Sequence, residues 1–183
     1  SIINEQTYDM EYISHSYAIG GCDLSATTDL TCATLLIRKP NDNNVYVLQQ
    51  YFIPESKIDK VEQTQSKEAP YKLWSEQGWV TICNGAQVDY SKVTEWFVDM
   101  VRKYDIRPLW VCYDRALSGY WVPEMESYGF EMQKEAQGPF NWSQSMKLMG
   151  AAFEEHIVIY NNNPVLRWCL ANTAVKTLNS DGI

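Results

Sequence analysis

Apolar and polar positions along the chain follow two different periods, and the change from one to the other marks the elements. Tyr17, Ala18 and Ile19 open an apolar run that passes through Gly20 and Gly21 to about Leu24. TCATLLIRK (31–39) and VYVLQQYFI (45–53) are two further runs rich in β-branched and aromatic residues, separated by Pro40 and the polar cluster NDNN. Short runs of this kind bounded by turn formers predict strands, and three in succession predict an antiparallel meander. Residues 1–16 show no clear period and read as a lead-in segment or linker. From Pro54 to Trp79 the chain turns polar. A short helix is predicted over Glu55 to about Thr64, and the remainder, including APYKLWSEQGW, is predicted as a surface flap.

The period then becomes helical. With Asp89 or Ser91 as N-cap, Val93, Trp96, Phe97, Met100, Val101 and Tyr104 fall on one continuous stripe that has to pack against a sheet. Pro108 punctuates, and Leu109 to Tyr113 predicts the next strand. Residues 117–128 read as helical, with Pro123 shifting the start or kinking the axis. Gly129 ends that helix, and FEMQKEA (130–136) predicts a further strand. GPFNWSQSMKLMGAAF predicts a capped helix with Trp142, Met146, Met149 and Phe153 on one face, followed by a short strand over Ile157 to Tyr160. In NNNPVLRWCLANTAV an Asn cap and Pro164 in the first turn predict a last helix. The pattern is α/β, with a mixed central sheet (an antiparallel meander plus parallel strands) flanked by helices.

This order has a consequence for two carboxylates. In a three-strand meander the first and third strands run the same way. If the 91–104 helix carries the chain back across the sheet in the usual right-handed sense, the 109–113 strand lies parallel to and beside the first. Asp23, at the end of YAIGGCD, and Asp114, at the end of LWVCYD, then project from adjacent strand ends about 4.8 Å apart. Two carboxylates so close repel unless a divalent cation favours both ionised forms. Oxygen donors suit a hard ion, and the neighbouring glycines allow close approach of a backbone or ligand. Two such ions about 3.5–4 Å apart can activate water and stabilise a leaving oxygen in phosphodiester cleavage. Asp29, six residues after Asp23 in a Ser/Thr-rich turn, can reach the same space, and Arg115 can contact a phosphate.

Composition narrows the class. The chain has 183 residues, 45% of them hydrophobic, enough for one domain with a full core. Five cysteines at 22, 32, 83, 112 and 169 never form a CxxC pair, which describes reduced thiols rather than a zinc site or a disulfide framework. No apolar run reaches transmembrane length, so no membrane role is expected. A net charge of −8 speaks against gripping nucleic acid through overall electrostatics, but not against a nuclease that concentrates acids at its centre.

GCDLSATTDLT, YFIPE, APYKLWSEQGW, VDYSKV, WVCYDR, NWSQSMK and HIVIYNNNPVLRWCLAN, taken in order from about Tyr17 to Val175, resemble the C-terminal nuclease domain of the large terminase subunit of tailed bacteriophages. The resemblance implies an RNase H-like fold and an endonuclease dependent on Mg²⁺ or Mn²⁺, two ions being expected, that cuts concatemeric double-stranded viral DNA during packaging. Asp23 and Asp114 match the family's first and second catalytic acids, and Asp29 a further aspartate of the first motif. The implied partners are a packaging ATPase domain of the same full-length protein, the portal and the small terminase subunit, in the host bacterial cytoplasm. The family's third catalytic aspartate is expected beyond Ile183, with Asp181 in the turn before it. No GxxxxGK[ST] loop occurs, which leaves the nuclease half alone.

Taken singly, each residue has an ordinary explanation. Asp23 alone reads as a cap or turn, Asp29 divides evenly between cap and functional acid, and Arg115 reads as an ion-pair partner. His156 reads as structural and His15 as solvated; Lys134, Lys147 and Lys176 can line a DNA groove but read by default as solvated surface, and Glu154 and Glu155 read as the polar end of their helix. Two other functions fit less of the chain. One is a phosphotransferase of the actin and sugar-kinase type, which the glycine-poor turn after Asp23 disfavours. The other is a catalytically inert docking module for packaging ATPase, portal or DNA.

Overall fold

The computed structural model describes residues 3–25, 30–64, 69–114, 119–135 and 139–173. In chain order the elements are α1 (Met10–Ile13), β1 (Ser16–Asp23), β2 (Thr31–Ile37), β3 (Val45–Pro54), α2 (Glu55–Thr64), α3 (Tyr71–Glu76), β4 (Val80–Cys83), α4 (Tyr90–Tyr104), β5 (Ile106–Asp114), α5 (Trp121–Ser127), β6 (Met132–Glu135), α6 (Pro139–Glu154), β7 (Val158–Ile159) and α7 (Pro164–Ala171). The strands form one mixed sheet in the order β4-β3-β2-β1-β5-β6, with β7 also paired to β3. β1, β2 and β3 are the antiparallel meander. β5 lies parallel to β1 and β6 parallel to β5, as the crossover argument requires.

Local chemistry explains most boundaries. Asp89 caps α4 by accepting a hydrogen bond from the Ser91 backbone N–H at 3.0 Å, and Asp105 closes that helix in the left-handed conformation. Asn163 caps α7, accepting from Val165 and Leu166, with Pro164 in the first turn. Pro123 sits in the first turn of α5, which begins at Trp121 and where its missing N–H breaks no helical bond; residues 117 and 118 of the expected helix lie outside the described residues. Pro108 does not end an element. It lies inside β5 opposite Ala18, where the β1–β5 register shifts before resuming at Gly20↔Val111, because proline cannot donate to the ladder.

The sheet buries its two faces unequally. One face carries Ala18, Cys22, Leu35, Ile37, Phe52, Ile106 and Val111 and is covered by α4 and α5 through Val93, Phe97, Trp121 and Met125. On the other face, α3 and α7 cover β2 and β3 through Tyr71, Trp74 and Val165 against Tyr51 and Ile53. Over β1 and β5 this second face stays open: Tyr17 is 67%, Leu109 50% and Ile19 39% exposed.

Three expectations need correcting. The polar stretch after Pro54 is not a surface flap throughout. Ile58, Ala69, Tyr71 and Trp74 are core residues, and β4 follows them, because a mostly polar segment needs only four well-spaced apolar side chains to close a satellite core. The α6 face does not pack as a stripe. Phe153 is buried, but Met146 and Met149 are exposed. The lead-in residues are part of the folded body rather than a tether. The Asn4 side-chain amide donates to the His156 and Val158 carbonyls at 2.9 and 3.0 Å, Tyr8 donates to the Val47 carbonyl at 2.7 Å, and Ile13 is fully buried.

Gly20 and Gly21 differ sharply. A Cβ at Gly20 would stand 2.9 Å from Val111 Cγ2 and 3.3 Å from the Trp110 carbonyl oxygen, whereas a Cβ at Gly21 meets nothing within 4 Å. Gly20→Ala is therefore expected to destabilise the fold by about 1–3 kcal/mol in urea unfolding, and Gly21→Ala by less than about 0.5 kcal/mol. Burial pushes the Cys32 thiol, beside Cys169 and Tyr51, up to about 12. The neutral thiol's stabilising contribution is complete below the free-thiol pKa of about 8.5 and is lost as pH rises toward the folded value. In the folded protein at pH 8, Cys32 is expected to resist a thiol-specific aromatic disulfide that labels it at once in denaturant.

Candidate functional site

The two acids predicted from separate strands end neighbouring central strands of the sheet, at the same end. Cys22 of β1 pairs with Tyr113 of β5, so Asp23 and Asp114 stand one step further along two adjacent parallel strands. Cys22 and Tyr113 both pack into the core beneath α4 and α5. Side chains alternate along a strand, so Asp23 and Asp114 both project from the opposite, open face. Asp23 is exposed and Asp114 half-buried.

Each strand end is fixed from below. The Tyr113 ring meets Trp121, which is fully buried, edge-on at 6.4 Å between centroids. At the end of β1, the fully buried Thr31 accepts from the Ser25 N–H at 2.9 Å and donates back to the Ser25 carbonyl at 3.0 Å, which ties the end of β1 to the start of β2. Asp29, Arg115, Lys176 and Asp181 lie outside the described residues. Lys134 and Lys147 are exposed, as are Glu154 and Glu155. His156 is exposed in a left-handed turn, its carbonyl accepting from Asn4. His15 is 81% exposed, with Nδ1 3.0 Å from Asp105 Oδ2.

Sequence reasoning missed one acid. β6 pairs with β5 so that Asp114 stands opposite Glu135, and Cys112 donates a long hydrogen bond to Glu135 Oε1 at 3.7 Å. Asp23, Asp114 and Glu135 thus end three consecutive parallel strands in one row. The signal was present in FEMQKEA, a strand ending in an acid like the two before it, but its pairing partner could not be read from that segment alone.

The electrostatics around this row are those of a negative strand end beside one buried thiol, Cys22, and one half-buried thiol, Cys112. Burial, reinforced by Cys32 and Asp23, pushes the Cys22 thiol well up, and burial followed by the Glu135 charge raises Cys112. Hard carboxylate oxygens open to solvent suit Mg²⁺ or Mn²⁺ rather than a soft ion. Among the described residues, no three His, Cys, Asp or Glu side chains stand close enough together to enclose a metal ion. The carboxylate pair fits a hard ion that keeps part of its water shell.

Comparison with known proteins gives this geometry a family. The chain is 28% identical over 163 residues to the large terminase subunit of Enterobacteria phage HK97, covering 85% of this chain and 30% of that protein. It is 22% identical over 184 residues to protein YmfN of Escherichia coli K12, covering 95% and 39% respectively. The chain thus spans about a third of the length of these relatives. The fold superposes on the crystal structure of the HK97 large terminase with a TM-score of 0.75 at 21% identity, over 93% of this chain and 36% of that one. It superposes on the large terminase nuclease of thermophilic phage G20c with a TM-score of 0.57 at 12% identity, over 91% and 70%. The mixed sheet flanked by helices is the RNase H-like fold of these terminase nucleases. The family described as terminase large subunit, endonuclease domain, matches residues 2–183, and this chain belongs to it.

Proposed function

We propose that this domain is the metal-dependent endonuclease of a phage DNA-packaging motor and hydrolyses phosphodiester bonds of concatemeric double-stranded DNA. One observation supports the reading above others: the parallel β1–β5 register sets Asp23 and Asp114 side by side at strand ends on an open sheet face. In this reading Asp23 and Asp114 hold two divalent cations, Mg²⁺ or Mn²⁺, and Asp29, six residues after Asp23, assists. Bound there, the ions supply activation of the attacking water and stabilisation of the departing oxygen. The chain's residues hold those charges in place, and Arg115 contacts the scissile phosphate. A packaging ATPase domain of the same protein, the portal and the small terminase subunit are the proposed partners. None of the described helices is long and apolar enough to cross a membrane.

The test is relaxation of supercoiled plasmid by this chain in Mn²⁺, with Asp23→Asn and Asp114→Asn beside it. Wild type should nick the plasmid, chelator should stop it, and each variant should lose about 100-fold or more of the rate while its thermal melt stays within a few degrees of wild type. Intact plasmid in every lane, with all three proteins folded, would instead favour the inert docking module.

A further inference from the structure

The open face of the sheet carries arginine at the end opposite to its acids. One step outward from Ala18↔Ile37, the antiparallel β1–β2 register brings Arg38 opposite Tyr17, and on the other side of β1 the parallel register pairs Tyr17 with Arg107. Their neighbours Ala18, Ile37 and Ile106 are buried in the core beneath α4 and α5, so alternation turns Arg38, Tyr17 and Arg107 to the open face. All three are exposed, Tyr17 to 67%. Among the described residues Arg38 forms no ion pair. Arg107 donates from Nε to Asp105 Oδ1, which leaves its terminal nitrogens for another acceptor. Two guanidinium groups thus flank a phenol in a chain whose net charge is −8. The row lies six residues along β1 from Asp23, about 20 Å at a rise of about 3.3 Å per residue. Between the two rows β1, β2 and β5 carry no charged residue, and β6 pairs only with Val111 to Asp114 and does not reach the arginines.

Resting on the nuclease reading for its occupant, we propose that Arg38, Tyr17 and Arg107 form a backbone-anchoring site for double-stranded DNA, separate from the acids and independent of metal. A duplex presents two phosphate ridges flanking a major groove about 12 Å wide. With one ridge over Asp23 and Asp114, the other falls toward the arginine row, and the groove between them spans the uncharged strip of Ile19 and Leu109. Guanidinium forks and a phenolic hydroxyl contact phosphate oxygens without reading bases, so the row fixes how the duplex lies on the sheet and not which sequence is cut. Its distance from the acids keeps the arginines from neutralising them. Two such contacts give a modest grip, one that orients a duplex rather than capturing it from solution.

The experiment has two readouts. Binding of a duplex of about 30 base pairs, a length that covers both rows, is followed by fluorescence anisotropy in chelator over a series of salt concentrations, for wild type, Arg38→Gln, Arg107→Gln, Arg107→Lys and Lys92→Gln. Nicking of supercoiled plasmid in Mn²⁺ is followed over a range of DNA concentrations. Arg38→Gln and Arg107→Gln should each weaken binding about 3–10-fold and flatten the slope of log K against log salt by about 1. Both should raise the DNA concentration for half-maximal nicking while leaving the maximal rate within about 2-fold of wild type. Arg107→Lys, which keeps the charge, should hold the slope, and Lys92→Gln, which removes a charge from α4 behind the sheet, should change neither readout. Equal weakening by Lys92→Gln would reduce the effect to general electrostatics and overturn the proposal. Unchanged binding in both arginine-to-glutamine variants would overturn it too, while wild-type nicking left the nuclease reading intact. Absence of duplex binding by wild type in chelator would remove the metal-independent anchor. Arginine-dependent binding with no nicking would support the anchor and remove the nuclease reading instead. Arg38→Gln breaks no ion pair, so the question stays answerable if Arg107→Gln, which strips Asp105 of its partner, unfolds.

Discussion

The close approach of β1 and β5 is the constraint on which the rest depends. Two parallel central strands must run side by side although three strands, three helices and some eighty residues separate them in sequence, so the pairing is non-local and has to be secured by packing. Gly20 secures it. With no side chain there, Val111 and the Trp110 carbonyl move into the space a Cβ would fill, and the ladder resumes after the irregularity at Pro108. From Gly20↔Val111 the register then runs unbroken to Cys22↔Tyr113, and the next step along each strand is an aspartate. A slip of one residue on either strand would turn one aspartate into the core beneath α4 and α5.

The unequal covering of the sheet follows from the same topology. Helices α4 and α5 arise from the crossovers into and out of β5 and pack on one face together with Tyr8, Met10 and Ile13, whereas the core of α3 and α7 on the other side takes in β2, β3 and β4. The second face over β1 and β5 is therefore open, and its strands present Tyr17, Ile19 and Leu109 at one end and carboxylates at the other. Rigid burial below and access above is what a site needs when its substrate is larger than the domain. Tyr113 and Trp121 hold the Asp114 strand end from the covered side without occupying the accessible one.

How much of this could be read from the chain depended on whether the information was local. The strands, the α4 stripe, the Asn163 cap and the pairing of Asp23 with Asp114 follow from periodicity, capping chemistry and the handedness of crossovers, all of which act over short windows or simple topology. Tyr71 and Trp74 were misplaced because their neighbours are polar. Their burial depends on Val165, nearly a hundred residues later. Met146 and Met149 erred in the other direction, since a helical stripe guarantees a face but not a partner to bury it. Glu135 escaped notice for the same reason as Tyr71: its meaning lies in the residue across the ladder, and FEMQKEA does not name it.

The charge of the protein bears on the order of events at the strand ends. A chain of net charge −8 that ends three adjacent strands in acids repels the phosphate backbone at the very place where it would be cut. Counterion release by lysine and arginine, the usual source of affinity for duplex DNA, is weak in such a molecule. If Asp23 and Asp114 take up divalent cations, the local sign reverses, and the attraction for phosphate at the strand ends exists only when the ions are bound. Binding of DNA at the strand ends and readiness to cleave it then depend on the same event, so a domain of this composition carries little nuclease hazard until a duplex is delivered to it with metal in place.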